Sequence, residues 1–256
     1  MYILVTNDDG ISSEGLLALK KALAKVGTVV VIAPDHNWSA AGHSKTMHKP
    51  LRIQKVKLPD GDYGYSTDGA PSDCVAIGVL GFLPDQPGLV VSGINKGANL
   101  GDDITYSGTV AAAMEGSIFG LPAIAVSLVD YSPDPEANNF AYAADFAARL
   151  AAHVLDNGLG NEVLLNVNVP NLASEKINGV EITRLGKRVY RDELIERTDP
   201  YGRKYYWIGG ERPTGIIARG TDIKAIAEGK VSVTPIHLDL THHRLLKQLR
   251  AWDLKV

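Results

Sequence analysis

The chain has 256 residues, 45% of them hydrophobic and 21% charged, with 26 Lys and Arg against 29 Asp and Glu and a formal net charge of −3. A compact chain of this length buries roughly three quarters of the surface its unfolded form exposes, so one large domain needs no disulfide or metal merely to fold. The near-balanced charge argues against a nucleic-acid duplex or an anionic membrane as a charge-driven partner, and the single cysteine, Cys74, excludes an internal disulfide or a cysteine-rich zinc site.

Tyr2–Thr6 is a short apolar, β-branched run ending at Asn7-Asp8-Asp9-Gly10. It has no basic leader and turns acidic at once, so it does not read as a secretory signal, and the cytoplasm is the expected location. Glu14–Lys25 shows helical apolar spacing through Leu16, Leu19 and Leu23, and Thr28–Ala33 is apolar on both faces. Continuous apolar strands alternating with helices mark a parallel sheet covered on both sides.

Leu51–Leu58, Asp60-Gly61 and Tyr63–Ser66 then read as a hairpin. The alternation resumes with a helix at Ser72–Leu80, a strand at Gly88–Ser92, a helix at Ser107–Phe119, a strand at Ala123–Ser127, a helix at Asn139–Asn157 and a strand at Val163–Val169. Thr109 to Val129 is the longest apolar stretch, but Glu115 and Pro122 interrupt it, so no membrane span is predicted. The expected fold is α/β, a doubly wound, Rossmann-like and mostly parallel sheet.

Past Pro170 the texture changes. Val180–Arg184, Tyr205–Ile208 and Val231–Pro235 look like antiparallel strands, followed by a basic helix at Leu240–Trp252 with His242 and His243 capping or exposed on it. We therefore divide one domain into an α/β core at residues 1–178 and a hairpin-containing extension at 179–256. Tyr190, Tyr201, Tyr205, Tyr206, Trp207 and Trp252 crowd this extension, either to pack on another subunit or to form a small core of its own.

In an open parallel sheet the ligand sits beyond the carboxyl ends of the strands. Here those exits are polar: Asp8 and Asp9 after the first strand, a loop through His36, Ser39 and His43 after the second, and Asn95 and Lys96 after the third. Gly10 permits a positive φ, and a turn there brings both carboxylates to one cleft, where at 4–5 Å they would repel by roughly 3–4 kcal/mol at an effective dielectric near 20. Either one is protonated or a cation sits between them; the plain alternative is a solvated turn capping the next helix. Asp8, Asp9, Ser39 and Asn95 offer only hard oxygen ligands, which suits Mg²⁺ or Mn²⁺.

Ser107-Gly108-Thr109 stands where a helix begins. Free N–H groups and the positive end of the helix dipole make an anion seat there, with Gly108 allowing close approach, although the same triplet also serves as an ordinary N-cap. A metal site facing an anion seat describes hydrolysis of a phosphate ester by water. Lys96 is either a further cation for the phosphoryl group or a solvated loop residue. His36 and His43 either protonate the leaving oxygen or structure their loop, and Asp102 and Asp103 read as a turn rather than a second metal site.

No G-x-G-x-x-G follows the first strand, and neither a Walker-type P-loop nor a G-x-S-x-G is present. A receiver-type Mg²⁺ switch would need a phosphorylatable Asp after the third strand, and an aspartyl-phosphate phosphatase a second Asp at the position of Gly10. These two remain the alternative readings.

The segments Ile3–Gly10, Ala33–Gly42, Ser92–Asn99 and Tyr106–Gly116 resemble the SurE family of stationary-phase survival proteins, and Thr67–Val75, Gly220–Ile223 and Val231–Pro235 fit as well. The resemblance spans nearly the whole chain. It implies a phosphatase acting on nucleoside 5′- and 3′-monophosphates, with one divalent ion per subunit at Asp8, Asp9, Ser39 and Asn95. It further implies catalytic roles for Asp8, Asp9, Asn95 and Ser107, phosphate contacts at Asn95, Asn99, Ser107, Gly108 and Thr109, and a homodimer or homotetramer whose C-terminal segments reach a neighbouring subunit.

Overall fold

The computed structural model describes residues 1–130, 139–211, 213–252 and 254. In chain order the elements are β1 (Tyr2–Thr6), α1 (Glu14–Leu23), β2 (Val29–Pro34), β3 (Ile53–Lys57), β4 (Tyr63–Thr67), α2 (Pro71–Val79), β5 (Pro87–Lys96), α3 (Gly108–Ile118), β6 (Ala123–Val129), α4 (Phe140–Asn157) and β7 (Val163–Pro170). There follow β8 (Val180–Ile182), β9 (Arg188–Val189), β10 (Asp192–Thr198), β11 (Lys204–Gly210), β12 (Thr214–Gly215), α5 (Asp222–Ala227), β13 (Val231–His237) and α6 (His243–Leu249).

Nine strands form one sheet in the order β3-β4-β2-β1-β5-β6-β7-β13-β8. The run from β4 through β7 is parallel, as continuous burial on both faces requires. Helices α1 and α4 cover one face and α2 and α3 the other. Ser13 caps α1 by accepting from the Leu16 N–H, and Leu16, Leu19 and Leu23 are wholly buried against the sheet. The chain leaves β1 toward β2 on one side and returns to β5 on the other, so the switch in strand order lies between the ends of β1 and β5. An α/β sheet opens its ligand crevice there.

Three features depart from the sequence expectation. First, β5 runs to Lys96, because one extra residue is accommodated between Ser92 and Asn95 opposite β6 and pairing then resumes. Asn95 thus sits on a strand end and not in a loop. Second, β13 pairs antiparallel with β7 as expected, but β8 pairs with β13 in parallel, not antiparallel as its sequence reads. Both strands are therefore part of the main sheet, although their sequences lie in the expected extension. Third, the antiparallel pair β10–β11 stands apart from the sheet, with Leu194, Trp207 and Ile208 exposed, and α6 buries none of its residues. His242 does cap α6, its Nδ1 accepting from the Leu245 N–H at 3.0 Å.

Asp222, fully buried at the start of α5, holds the C-terminal third to the sheet edge. Its carboxylate accepts from the N–H groups of Gly101 (2.8 Å), Gly186 (2.7 Å) and Ile223 (2.8 Å). Asp222→Ala leaves these donors without their acceptor, at about 1–3 kcal/mol for each that stays buried. We expect the urea midpoint to fall by the equivalent of about 3 kcal/mol with an unchanged slope, and an unshifted midpoint would show that other contacts carry this junction.

Candidate active site

The ends of β1 and β5, the loop after β2 and the N-terminus of α3 converge on a cleft of about 290 Å³. Asp8, Ser39, Asn95, Asn99 and Ser107 line it together, with Lys96 beside them. Asp9, half-buried at its edge, accepts from the Lys96 N–H at 3.2 Å. The turn that makes this convergence has the expected form: Gly10 adopts φ +99°, and Asn7 pins it by donating to the Gly10 carbonyl (3.0 Å) and to Ser13 Oγ (2.7 Å).

Asp8 is only 3% exposed and lies directly on the N-terminus of α3. One carboxylate oxygen accepts from the Thr109 N–H at 3.1 Å and the other from the Thr109 hydroxyl at 2.5 Å. A β-carbon on Gly108 would stand 2.8 Å from Asp8 Cβ and 2.9 Å from its Oδ2, so only glycine admits the carboxylate. Gly108 makes room for Asp8, and Thr109, itself fully buried, directs both its donors to Asp8. The helix dipole acts on the protein's own carboxylate.

Ser107 is the N-cap of α3, its Oγ accepting from the Val110 N–H at 3.1 Å, and its hydroxyl hydrogen stays available to the cleft it lines. Asn99 is 6% exposed and uses one amide hydrogen on Ser127 Oγ (2.7 Å), while its backbone N–H and carbonyl bond the side chains of Asn166 and Asn168. One further amide hydrogen is left to it.

Neither candidate histidine lines the cleft. His36 bonds Asp35 and packs its ring on Trp38 at 5.1 Å, and His43 Nε2 lies 2.9 Å from Glu115 Oε2. Glu115 also takes Lys45 at 2.9 Å, and these two partners hold its carboxyl below the usual range. The lone charge in an apolar helix thus anchors the loop that carries Ser39. Asp102 and Asp103 lie in a 3-10 turn at Gly101–Thr105, as the sequence indicates. Asp103 lines the cleft, held by Arg188 and by the Tyr190 hydroxyl at 2.6 Å each. Sequence reasoning gave Arg188, Tyr190 and Glu115 no place at the site, because each acts across a long separation.

Burial pushes the Asp8 carboxyl up despite its hydrogen bonds, and burial together with the Asp8 charge pushes Asp9 up to about 6. Two carboxylates that resist ionisation side by side mark a place for a cation. The neutral donors suit one. Ser39 donates its hydroxyl to Asn37 Oδ1 (2.5 Å), which leaves its lone pairs to the cleft, and Asn95 donates Nδ2 to the Gly97 carbonyl (3.0 Å), which leaves its amide oxygen. No cluster of three or more His, Cys, Asp and Glu occurs among the described residues, so the donor set is two carboxylates plus neutral oxygens, a hard-cation set.

The chain matches the family described as Survival protein SurE over residues 3–192. It is 52% identical to the 5′-nucleotidase SurE of Chloroflexus aggregans over 253 residues, 99% of each chain, and 54% identical to that of Herpetosiphon aurantiacus over 243 residues, 94% of each. The crystal structure of the SurE protein from Aquifex aeolicus superimposes with a TM-score of 0.84 at 43% identity, covering 99% of this chain and 100% of the other.

A raised carboxyl pKa stabilises the fold fully below the ordinary carboxylate value, near pH 4, and that stabilisation is lost as pH rises through about 6. In cation-free buffer the thermal midpoint should therefore fall more between about pH 5 and about pH 7.5 in the wild type than in Asp9→Asn. A divalent cation should raise the wild-type midpoint most at the upper pH. Gly108→Ala, which forces Asp8 aside, should fold but lose this cation response. A midpoint indifferent to cation at both pH values would remove the ion from the site.

Proposed function

The chain belongs to the SurE family, and from that membership we propose that it hydrolyses nucleoside 5′- and 3′-monophosphates to nucleoside and phosphate, using one Mg²⁺ or Mn²⁺ per subunit. The observation that carries the reading is the pair Asp8 and Asp9. Two carboxylates with raised pKa values meet neutral oxygen donors at the switch point of the sheet.

Asp8, Asp9, Ser39 and Asn95 would hold the ion. A divalent ion there supplies charge neutralisation at the phosphoryl oxygens and a lowered pKa for water. The chain's own groups do the rest. Thr109 fixes Asp8 in one orientation, so the site is preorganised and does not have to reorganise as charge develops. Ser107 presents its hydroxyl to a phosphoryl oxygen, and Asn99 presents its remaining amide hydrogen. Lys96 lines the same cleft and adds positive charge. A water oxygen forms the new bond to phosphorus, the ester P–O bond breaks, and the released sugar oxygen takes up a proton.

We place the protein in the cytoplasm, with 1–256 as one domain whose segment 179–256 mediates a homodimer or homotetramer. The support is physical: a two-stranded ribbon is marginal alone, and β10–β11 exposes Leu194 (69%), Trp207 (63%) and Ile208 (84%). No helix among the described residues is long and apolar enough to cross a membrane.

Phosphate release from nucleoside 5′- and 3′-monophosphates should require Mn²⁺ or Mg²⁺, stop with EDTA, and fall at least ~100-fold in Asp8→Asn and in Asn95→Ala. Release that persists in EDTA would overturn the metal-dependent reading. Replacing residues 192–210 by a short turn should shift the mass measured by light scattering to that of a monomer, and an unchanged mass would move the interface elsewhere.

A further inference from the structure

The cleft contains one ring that its own hydrogen bonds leave unexplained. Tyr106 lines the same wall as Ser107, immediately before the N-terminus of α3, and its side chain is 62% exposed. Its backbone is fixed on both sides. The Tyr106 N–H donates to the Asp103 carbonyl at 3.0 Å, and its carbonyl accepts from the Gly42 N–H at 2.9 Å. A solvent-facing aromatic ring carried on a fixed backbone at the mouth of a polar cleft offers a surface for contact with another planar group.

The surrounding polar groups could serve such a contact only poorly. Asp103 is occupied by Arg188 and Tyr190, the Ser39 hydroxyl donates to Asn37, and Asn99 gives one amide hydrogen to Ser127 and has its other assigned to the phosphoryl group above. Reading the edge of a base needs free donors and acceptors in a fixed pattern, whereas stacking needs only a face. Among the lining residues Tyr106 is the one aromatic. Trp38, the nearest alternative on the facing loop, is half-buried and packed on His36.

We propose that Tyr106 is the platform on which the nucleobase of the substrate stacks. This rests on the nucleotidase reading above and assigns the base a contact that is tolerant of its identity. Every base offers a π-face, so purine and pyrimidine nucleotides are all substrates. The larger purine surface gives the lower KM. The phosphate end, held by Ser107 and Asn99 beside the ion, is unaffected by the ring.

Steady-state kinetics with Mn²⁺ on the full chain tests this with three substrates: a purine nucleoside 5′-monophosphate, a pyrimidine one, and the base-free ribose 5-phosphate. In Tyr106→Ala the KM for the purine nucleotide should rise about tenfold and the preference over the pyrimidine nucleotide should collapse, with kcat little changed. The kinetics on ribose 5-phosphate should stay as in the wild type, and Tyr106→Phe and Tyr106→Trp should keep the wild-type KM values. An unchanged nucleotide KM in Tyr106→Ala overturns the proposal. So does an equal loss on ribose 5-phosphate, which would assign the ring to the phosphate end or to a subunit contact. A wild type that cleaves ribose 5-phosphate but no nucleotide overturns the nucleotidase reading and the stacking proposal together, and it is recognised before any substitution is made.

Discussion

The N-terminus of α3 is where this site is assembled. A helix start presents N–H groups without intrahelical acceptors, and here Ser107 accepts one from within the chain while Asp8 accepts another from across the sheet. The contact brings the carboxylate to the helix only because Gly108 has no β-carbon. Donors and dipole partly offset the desolvation of Asp8, yet the balance still leaves its carboxyl above the ordinary range, and Asp9 beside it is raised as well. Two carboxyls that resist ionisation are thus built into the fold side by side, an arrangement that a hard cation would stabilise in its ionised form.

The loops that complete the cleft depend on the same helix. The segment carrying Ser39 is bonded at its start to the turn after β1, through the Trp38 N–H and the Asp8 carbonyl at 2.8 Å, and farther on to α3 through His43, Lys45 and Glu115. The segment from Gly97 to Ser107 runs into α3 and is held from behind by Arg188 and Tyr190 on Asp103, and by Asp222 on Gly101. Ser39, Asn99 and Ser107 therefore have their positions set largely by groups outside the cleft, namely His43, Lys45, Glu115, Arg188, Tyr190 and Asp222. The stretch that supplies Arg188 and Tyr190 leads straight into the exposed hairpin, so the back of the cleft and the projecting ribbon share one segment of chain.

Much of the fold was legible because a parallel sheet buried on both faces leaves an unmistakable trace: β1, β2, β6 and β7 are near-continuous apolar runs with amphipathic or small-residue helices between them. The reading weakened where pairing depends on a neighbour and not on composition. Nothing in Val180–Ile182 says that its partner is β13, or that the pairing is parallel, and no local signal at Ser92–Asn95 announces an accommodated residue that carries β5 on to Lys96. For the site, the sequence places acidic and amide oxygens at three strand exits, a set that suits a hard cation, but it gives no sign that Thr109 directs both its donors to Asp8.

What the sequence determined alone was the inventory: the order of strands and helices through β7, the oxygen-bearing side chains Asp8, Asp9, Ser39 and Asn95 at the strand exits, the glycine at the turn after Asp9, and the lack of a cysteine pair or a dinucleotide motif. What the tertiary structure decided was which groups meet. Asp8 and Thr109 are 101 residues apart, Asp103 and Arg188 85, and Lys45 and Glu115 70. Hydrogen-bonding capacity is a property of a residue type, whereas the partner that uses it, and the burial that shifts a pKa, belong to the packed chain. That is why the sequence could name the donors and acceptors, and only the fold could say which of them were already engaged and which were left for a ligand.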